Sequence, residues 1–523
     1  MKRKSNAPKP RLMDRLLNVI EVAGNKLPNP ALLFAYLSLF IIVLSAILKF
    51  FNLSATGSQV SSTGVSETTV SVVSLLTRDG LIFMLTKAIS NFTSYAPLGV
   101  VLVSMLGVGV AERSGLISTL MKKAVKVTPD RLLTPMLVFL GVMSNIASDA
   151  GYVILLPLGA MMFRACGRHP IAGLAAAFAG VSGAFSANML IASTDSMLAS
   201  ISQSSAAIID PSYEVSMMGN YFFLFVSAIL LTIVGTIITD KIIEPRLGKY
   251  ENSDDVEENL DLTQISEVEN KGLKKAGIAS LIYVLLLVIG CLVPNSFLLN
   301  ENGSLFGKPT SPFLEGIVLL IALLFFIAGV VYGKCTGAFK SSTDIVNALT
   351  KAMSGMGSFL VLAFIIAQFI NYFNYTNLGT ILALAGTNFL QSANIGLIPL
   401  MVLFVLFTAF MNLFMTSASA KWNILSPVFV PMFMQLGYTP ELCQLAYRIG
   451  DSCTNIITPM MVYYAVILLF AQKYDKKMGI GTITATMIPY SFAFLVIWTL
   501  LLVVWLLLGL PIGPGTGLFY APV

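Results

Sequence analysis

Apolar runs of bilayer length recur along the chain, and the segments between them alternate between basic and almost uncharged. This pattern predicts membrane-crossing helices near 31–51, 83–111, 171–203, 217–240, 276–293, 312–333, 352–373, 440–472 and 482–510. Lysines and arginines flank alternate ends: Lys2 to Lys26, Arg113 to Arg131, Lys241 to Lys249, Lys334 and Lys340, and Lys473 to Lys477. By the positive-inside rule these segments are cytoplasmic. Two apolar stretches do not fit a single crossing. The first, near 132–165, is interrupted at Ser144–Gly151 and has basic residues on both flanks, so it is expected to enter and leave on one side as a re-entrant hairpin. The second, near 395–436, carries Ser417–Asn423 at its expected tip. The expected fold class is an all-α polytopic membrane protein of about nine transmembrane helices plus two re-entrant helical hairpins in an inverted repeat.

The expected organisation is a cytoplasmic segment at 1–30, a first transmembrane half at 31–240 and a charged cytoplasmic loop at 241–275. Two linking helices at 276–350 and a second half at 351–523 follow. Residues 52–80 are expected to form an external loop, and 376–392 to lie along the membrane interface.

The repeat is legible in the letters. A shift of 270 aligns Ala150–Ser182 with Ala420–Ser452 at eleven of 33 positions, among them Pro157/Pro427, Phe163/Phe433, Gly167/Gly437, Pro170/Pro440 and Gly180/Gly450. The charge map places the two hairpin bases on opposite sides, so the copies are inverted. In secondary transporters built this way, substrate and ion sites lie near the midplane where helices are broken. Here the breaks are expected near Gly180–Asn188 and Thr454–Pro459, meeting the two hairpin tips at one site.

Composition narrows the function. With 56% hydrophobic and 11% charged residues, no water-soluble core could hide so many apolar runs. The net charge of +6 sits in the short loops, where it sets topology and does not imply nucleic-acid binding. Five scattered cysteines lack metal-binding spacing, and no Gly-rich P-loop supports an ATP-driven pump.

Polar residues inside apolar sequence are the functional candidates, because charge at mid-bilayer costs about 2.5–3.5 kcal/mol on insertion scales. Arg448 suits a substrate carboxylate, or else pairs internally with Asp451 one turn away. Asp451 and Asp195 are candidates to carry a proton or cation, although Asp195 could simply cap a helix near the external surface. Trp422 either stacks an aromatic substrate or anchors the chain. Ser417, Ser419, Thr454 and Asn455, with Ser148 and Asp149 at the first tip, offer oxygens to sodium; helix packing or capping accounts for them equally well. His169, near the cytoplasmic face, reads as structural.

Four stretches together resemble the AbgT family of bacterial p-aminobenzoyl-glutamate transporters over essentially the whole chain: Ser144–Gly151, Ala192–Asp195, Ser417–Trp422, and Tyr447–Ser452 leading to Thr458–Pro459. The resemblance implies a homodimer in the bacterial cytoplasmic (inner) membrane. It also implies a small-molecule substrate, p-aminobenzoyl-glutamate or a sulfonamide antimetabolite, and no cofactor beyond a coupling proton or sodium ion. Asp195, Ser419, Trp422, Pro440, Arg448, Asp451 and Pro459 fall on the family's functional positions. Sodium-coupled dicarboxylate carriers share the hairpin plan but have Ser-Asn-Thr tips, which are absent here. An intramembrane hydrolase would need two carboxylates sharing a site, and no catalytic motif supports one; the chain is expected not to be an enzyme. A channel would lack saturable flux.

Overall fold

The computed structural model describes residues 30–61, 64–147, 151–250, 265–305, 311–392, 395–461 and 463–520. The N-terminal segment before Pro30, the hairpin-tip residues Ser148 and Asp149, and 251–264 of the expected charged loop lie outside the described residues. The chain is almost entirely helical. In order it runs α1 (Pro30–Phe50), β1 (Ser54–Ser61), β2 (Gly64–Ser71), α2 (Arg78–Thr93), α3 (Ala96–Arg113) and α4 (Leu116–Lys126). The stretch expected to form the first hairpin contains α5 (Leu133–Met143) and α6 (Leu156–Ala165), followed by α7 (Pro170–Phe178), α8 (Ser193–Ala206) and α9 (Tyr221–Ile238). Then come α10 (Glu267–Leu292), α11 (Ile317–Thr336), α12 (Ser342–Ser354), α13 (Gly357–Tyr375) and α14 (Leu378–Ser392). The stretch expected to form the second hairpin contains α15 (Leu397–Asn412) and α16 (Ala418–Gln435), and the last described helices are α17 (Pro440–Cys453), α18 (Tyr464–Tyr474) and α19 (Ile480–Leu507).

Among the described residues, 7 helical runs are long and apolar enough to cross a membrane. They coincide with seven of the expected spans. The other two, near 171–203 and 440–472, are the interrupted ones, each divided into two short helices: α7 with α8, and α17 with α18. In α10 the outward residues Leu281, Leu286 and Ile289 are more than half exposed, as lipid contact requires.

Two local expectations change and two gain detail. The span near 83–111 is two helices, broken at Ser94–Tyr95 ahead of Pro97. The external loop at 52–80 contains an antiparallel β-hairpin pairing Ser54 with Ser71. The charged loop ends early, because Ser266 and Glu269 form a capping box that starts α10 at Glu267. The segment at 376–392 is a helix, α14, packed against α16 and β1.

The repeat has a physical basis at each shared residue. Gly167 and Gly437 end the hairpins at φ of 69° and 83°. There Arg168 N–H donates to the Phe163 carbonyl (2.8 Å) and Tyr438 N–H to the Phe433 carbonyl (2.9 Å), the same Schellman closure in both copies. Pro170 and Pro440 then open the next helices, where proline's missing N–H costs nothing. His169 caps α7 by accepting the Ile171 N–H at 3.2 Å, and burial lowers its imidazole pKa, which keeps that acceptor neutral. Gly180 and Gly450 lie where each interrupted helix crosses the first arm of its own hairpin. A Cβ on Gly180 would sit 2.4 Å from the Val138 carbonyl oxygen; one on Gly450 would sit 1.9 Å from Thr408 Oγ1 and 2.4 Å from the Val405 carbonyl oxygen. Val138 and Thr408 are themselves 270 apart.

Because this crossing leaves no room for a methyl group, Gly450→Ala is expected to destabilise the protein by about 1–3 kcal/mol or more. Thermal unfolding of the detergent-solubilised protein checks it. Gly396→Ala, where an added Cβ meets nothing within 4 Å, is the matched control.

Candidate functional site

The two breaks meet. After Phe178 the chain continues as one π-helical turn, Ala179–Gly183, and then leaves helical geometry until Ser193. After Cys453 it is non-helical until Tyr464. Ser186 lies between them: its N–H donates to Ser452 Oγ (3.1 Å), and its carbonyl accepts from Arg448 Nη2 (3.2 Å). Asn455 Nδ2 donates to the Ser182 carbonyl at 3.4 Å. The first hairpin tip joins through Asn145, whose amide donates to the Phe185 carbonyl and to Thr194 Oγ1. Broken backbone at this depth exposes carbonyls and N–H groups that only protein or a ligand can satisfy.

Four buried charges occupy this junction in two pairs. Arg448 Nη2 lies 2.5 Å from Asp195 Oδ1, and Lys421 Nζ lies 2.7 Å from Asp451 Oδ1. The four residues are between 0% and 4% exposed, so each charge depends on its partner. The alternative reading of Arg448, an internal pair with Asp451, is therefore not the pairing formed. Asp451 Oδ1 is engaged by Lys421 from α16 and lies 3.1 Å from the Tyr447 hydroxyl, while Arg448 reaches across to α8.

Asp195 does cap a helix, but in the interior and not at the external surface. Its Oδ2 accepts the Ala192 N–H (2.7 Å) and Asn188 Nδ2 (2.9 Å), which leaves Oδ1 for Arg448. The N-terminal end of α8 adds a favourable dipole for that carboxylate. Lys421 Nζ also donates to Asn412 Oδ1 and to the Met415 carbonyl (3.2 Å). Asn412 Nδ2 in turn contacts Thr454 Oγ1 and Asn455 Oδ1, each at 2.9 Å. Two atoms in this closed cluster lack a hydrogen-bond partner, Arg448 Nε and Asp451 Oδ2.

Trp422 is fully buried and stacks on Tyr447, with ring centroids 4.4 Å apart, and its Nε1 donates to Ser202 Oγ at 3.0 Å. A substrate ring would reach that face only by displacing Tyr447. The remaining candidates are peripheral to the charges. Ser417 caps α16 by accepting the Ala420 N–H, and the Ser419 carbonyl accepts from Asn423. Pro440 opens α17 two turns before Arg448, and Pro459 lies in the second break beside Thr458, whose hydroxyl donates to the Leu413 carbonyl at 2.7 Å. Thr454 is committed to Asn412 and the Ala409 carbonyl. Lys421, Asn412, Asn188, Ser202 and Tyr447 complete the site without having been assigned a role from sequence. For Lys421 the signal was present, a lone cation in apolar sequence.

Removing one member of a buried pair strands the other. Lys421→Met is expected to destabilise the protein by about 3–5 kcal/mol, and adding Asp451→Asn to recover most of the loss. Thermal unfolding of the two variants checks this; equal stabilities would contradict it.

Comparison with known proteins agrees with this architecture. The family model described as "AbgT putative transporter family" matches residues 15–520. The p-aminobenzoyl-glutamate transport protein of Escherichia coli (strain K12) is 40% identical over 511 residues, 98% of each chain. The solved structure of the Alcanivorax borkumensis YdaH transporter, described as having an unusual topology, is similar with TM-score 0.87 and 42% identity, covering 93% of this chain and 100% of that one. Neisseria gonorrhoeae MtrF, whose structure is described as illuminating a class of antimetabolite efflux pumps, gives TM-score 0.89 and 44% identity over 96% of this chain and 100% of that one. The chain thus belongs to the AbgT family and is a multi-pass membrane transporter of small molecules, not an enzyme.

Proposed function

We propose that this protein is a secondary active transporter of the bacterial cytoplasmic membrane, moving p-aminobenzoyl-glutamate or related aromatic antimetabolites such as sulfonamides. Transport is coupled to a proton or sodium gradient by alternating access, in a homodimer. The observation that carries the reading is the buried Asp195–Arg448 pair at the junction of both helix breaks. A guanidinium holds a carboxylate through two parallel hydrogen bonds, so a carboxylate on the substrate competes with Asp195 for Arg448. Once displaced, the buried Asp195 carboxylate must take up a proton or a cation, because an unpaired charge there is too costly. Substrate binding and ion binding are thereby linked at one residue. The substrate class follows the relatives named above, and Trp422 supports it by presenting an aromatic face that a substrate ring would take over from Tyr447.

Alternating access follows from the repeat. In this conformation the site is closed on all sides, with Trp422, Arg448 and Asp451 at most 1% exposed. The two hairpins, α5–α6 and α15–α16, bring their tips to the same junction, and with inverted copies each would open it to one side of the membrane.

Uptake of labelled p-aminobenzoyl-glutamate into proteoliposomes, with pH and sodium gradients imposed separately, tests this reading. Saturable uptake driven by one gradient is expected. Arg448→Ala should lower the rate at least about tenfold, the loss of one charge-assisted contact. Asp195→Asn should retain exchange of substrate while uncoupling it from the gradient. Wild-type rates in Arg448→Ala would refute the assignment.

A further inference from the structure

Lys421 is the cation that nothing above gives a task. The repeat argues against a purely architectural one. In the 270-residue register Lys421 corresponds to Gly151, and Asp451 to Val181. A Cβ on Gly151 would meet the Ser144 side chain and then Val181 Cγ1 at 3.2 Å, so the two positions are neighbours. The first copy thus has no ion pair at these positions, and the nearby Asn145 amide bonds to the Phe185 carbonyl and to Thr194 Oγ1. The second copy puts an ion pair in the equivalent place. Replacing a buried pair by packed apolar residues is often neutral or stabilising, so the contact itself does not require charge.

The placement of Lys421 gives the charge a use. Arg448 and Asp451 lie one turn apart on α17, about 5–6 Å between Cβ atoms, and Lys421 meets Asp451. α17 thus carries the guanidinium and, through Asp451, meets the ammonium, each cation paired with one aspartate. Two cations at one junction match in number the two carboxylates of a glutamyl group. Arg448 Nε and Asp451 Oδ2 are buried atoms of this cluster that have no hydrogen-bond partner, a donor and an acceptor still open.

We propose that Lys421 is the second carboxylate-binding cation of the site, so that a substrate diacid displaces Asp195 from Arg448 and Asp451 from Lys421. The proposal rests on the aromatic-acid transport reading and specifies its stoichiometry. Each exchange breaks one aspartate–cation pair and forms one substrate–cation pair, and the freed aspartate takes one proton from water. The closed site begins neutral, with two cations and two anions. A bound dianion leaves it neutral only if both aspartates are protonated. The groups facing Asp451 are Lys421 from α16, with Tyr447, Arg448 and Cys453 on its own helix. Those facing Asp195 are Arg448 and the neutral Asn188. A monoacid needs one exchange and a diacid two.

Calorimetric titration of the purified wild type, in buffers of different ionisation enthalpy, counts protons taken up per ligand. Two are expected for p-aminobenzoyl-glutamate and one for p-aminobenzoyl-glutamine, which keeps the shape but lacks the second carboxylate. Wild type should also prefer the diacid at low pH. The paired variant Lys421→Met with Asp451→Asn should reduce the diacid-to-glutamine affinity ratio by about 10- to 100-fold and bring the diacid's proton count to one. Equal proton counts for the two ligands in wild type, or an unchanged ratio in the folded variant, would overturn the role of Lys421 while leaving the transport reading intact. If the variant does not fold, the wild-type count alone decides. Failure of folded wild type to bind either compound would overturn both readings.

Discussion

Arg448 and Asp195 bury opposite charges almost entirely within the protein, and the local architecture answers to that constraint. A buried charge needs its partner and further hydrogen bonds to be tolerable. A continuous helix has few to give, because its backbone groups are already paired. Here the breaks supply them: the carbonyl of Ser186 to Arg448, and the N–H of Ala192 to Asp195. The helix interruptions and the ion pair are thus two sides of one solution, each stable only in the presence of the other.

Packing each broken helix against the preceding arm of its own copy requires close approach of backbones, which large side chains forbid. Gly180 and Gly450 permit it at the same point in each copy, and Gly167–Pro170 and Gly437–Pro440 set the same turn into each interrupted helix. The copies share this frame but not their chemistry. In the second copy α16 and α17 carry Lys421, Trp422, Arg448 and Asp451, where the first has Gly151, Tyr152, Phe178 and Val181. The frame positions two tips and two breaks, and one of the two units carries most of the charge.

Much of the plan was legible in the sequence, because a bilayer imposes strict rules on it. Seven spans could be placed from apolar length alone, and the two interrupted ones near 171–203 and 440–472 from Gly, Ser and Asn in otherwise apolar runs. The Pro–Gly frame exposed the repeat. The prominence of Asp195, Arg448 and Asp451 followed from the cost of charge in lipid. Even the break between α2 and α3 had a signal in Pro97, as the start of α10 had in Ser266 and Glu269.

Pairing was the part that sequence could not decide. Arg448 and Asp451 are neighbours on a helix, and local spacing favoured joining them. Tertiary packing instead brought Asp195 of α8 to Arg448 and Lys421 of α16 to Asp451, dividing four charges into two pairs. The partners lie 253 and 30 positions apart in the chain, and no periodicity along one helix reports which helix will pack beside it. Burial of Trp422 against Tyr447 belongs to the same class of fact. The sequence by itself determined which residues must sit in the membrane and that its polar ones must be satisfied; only the packing of four segments at one junction determined by whom.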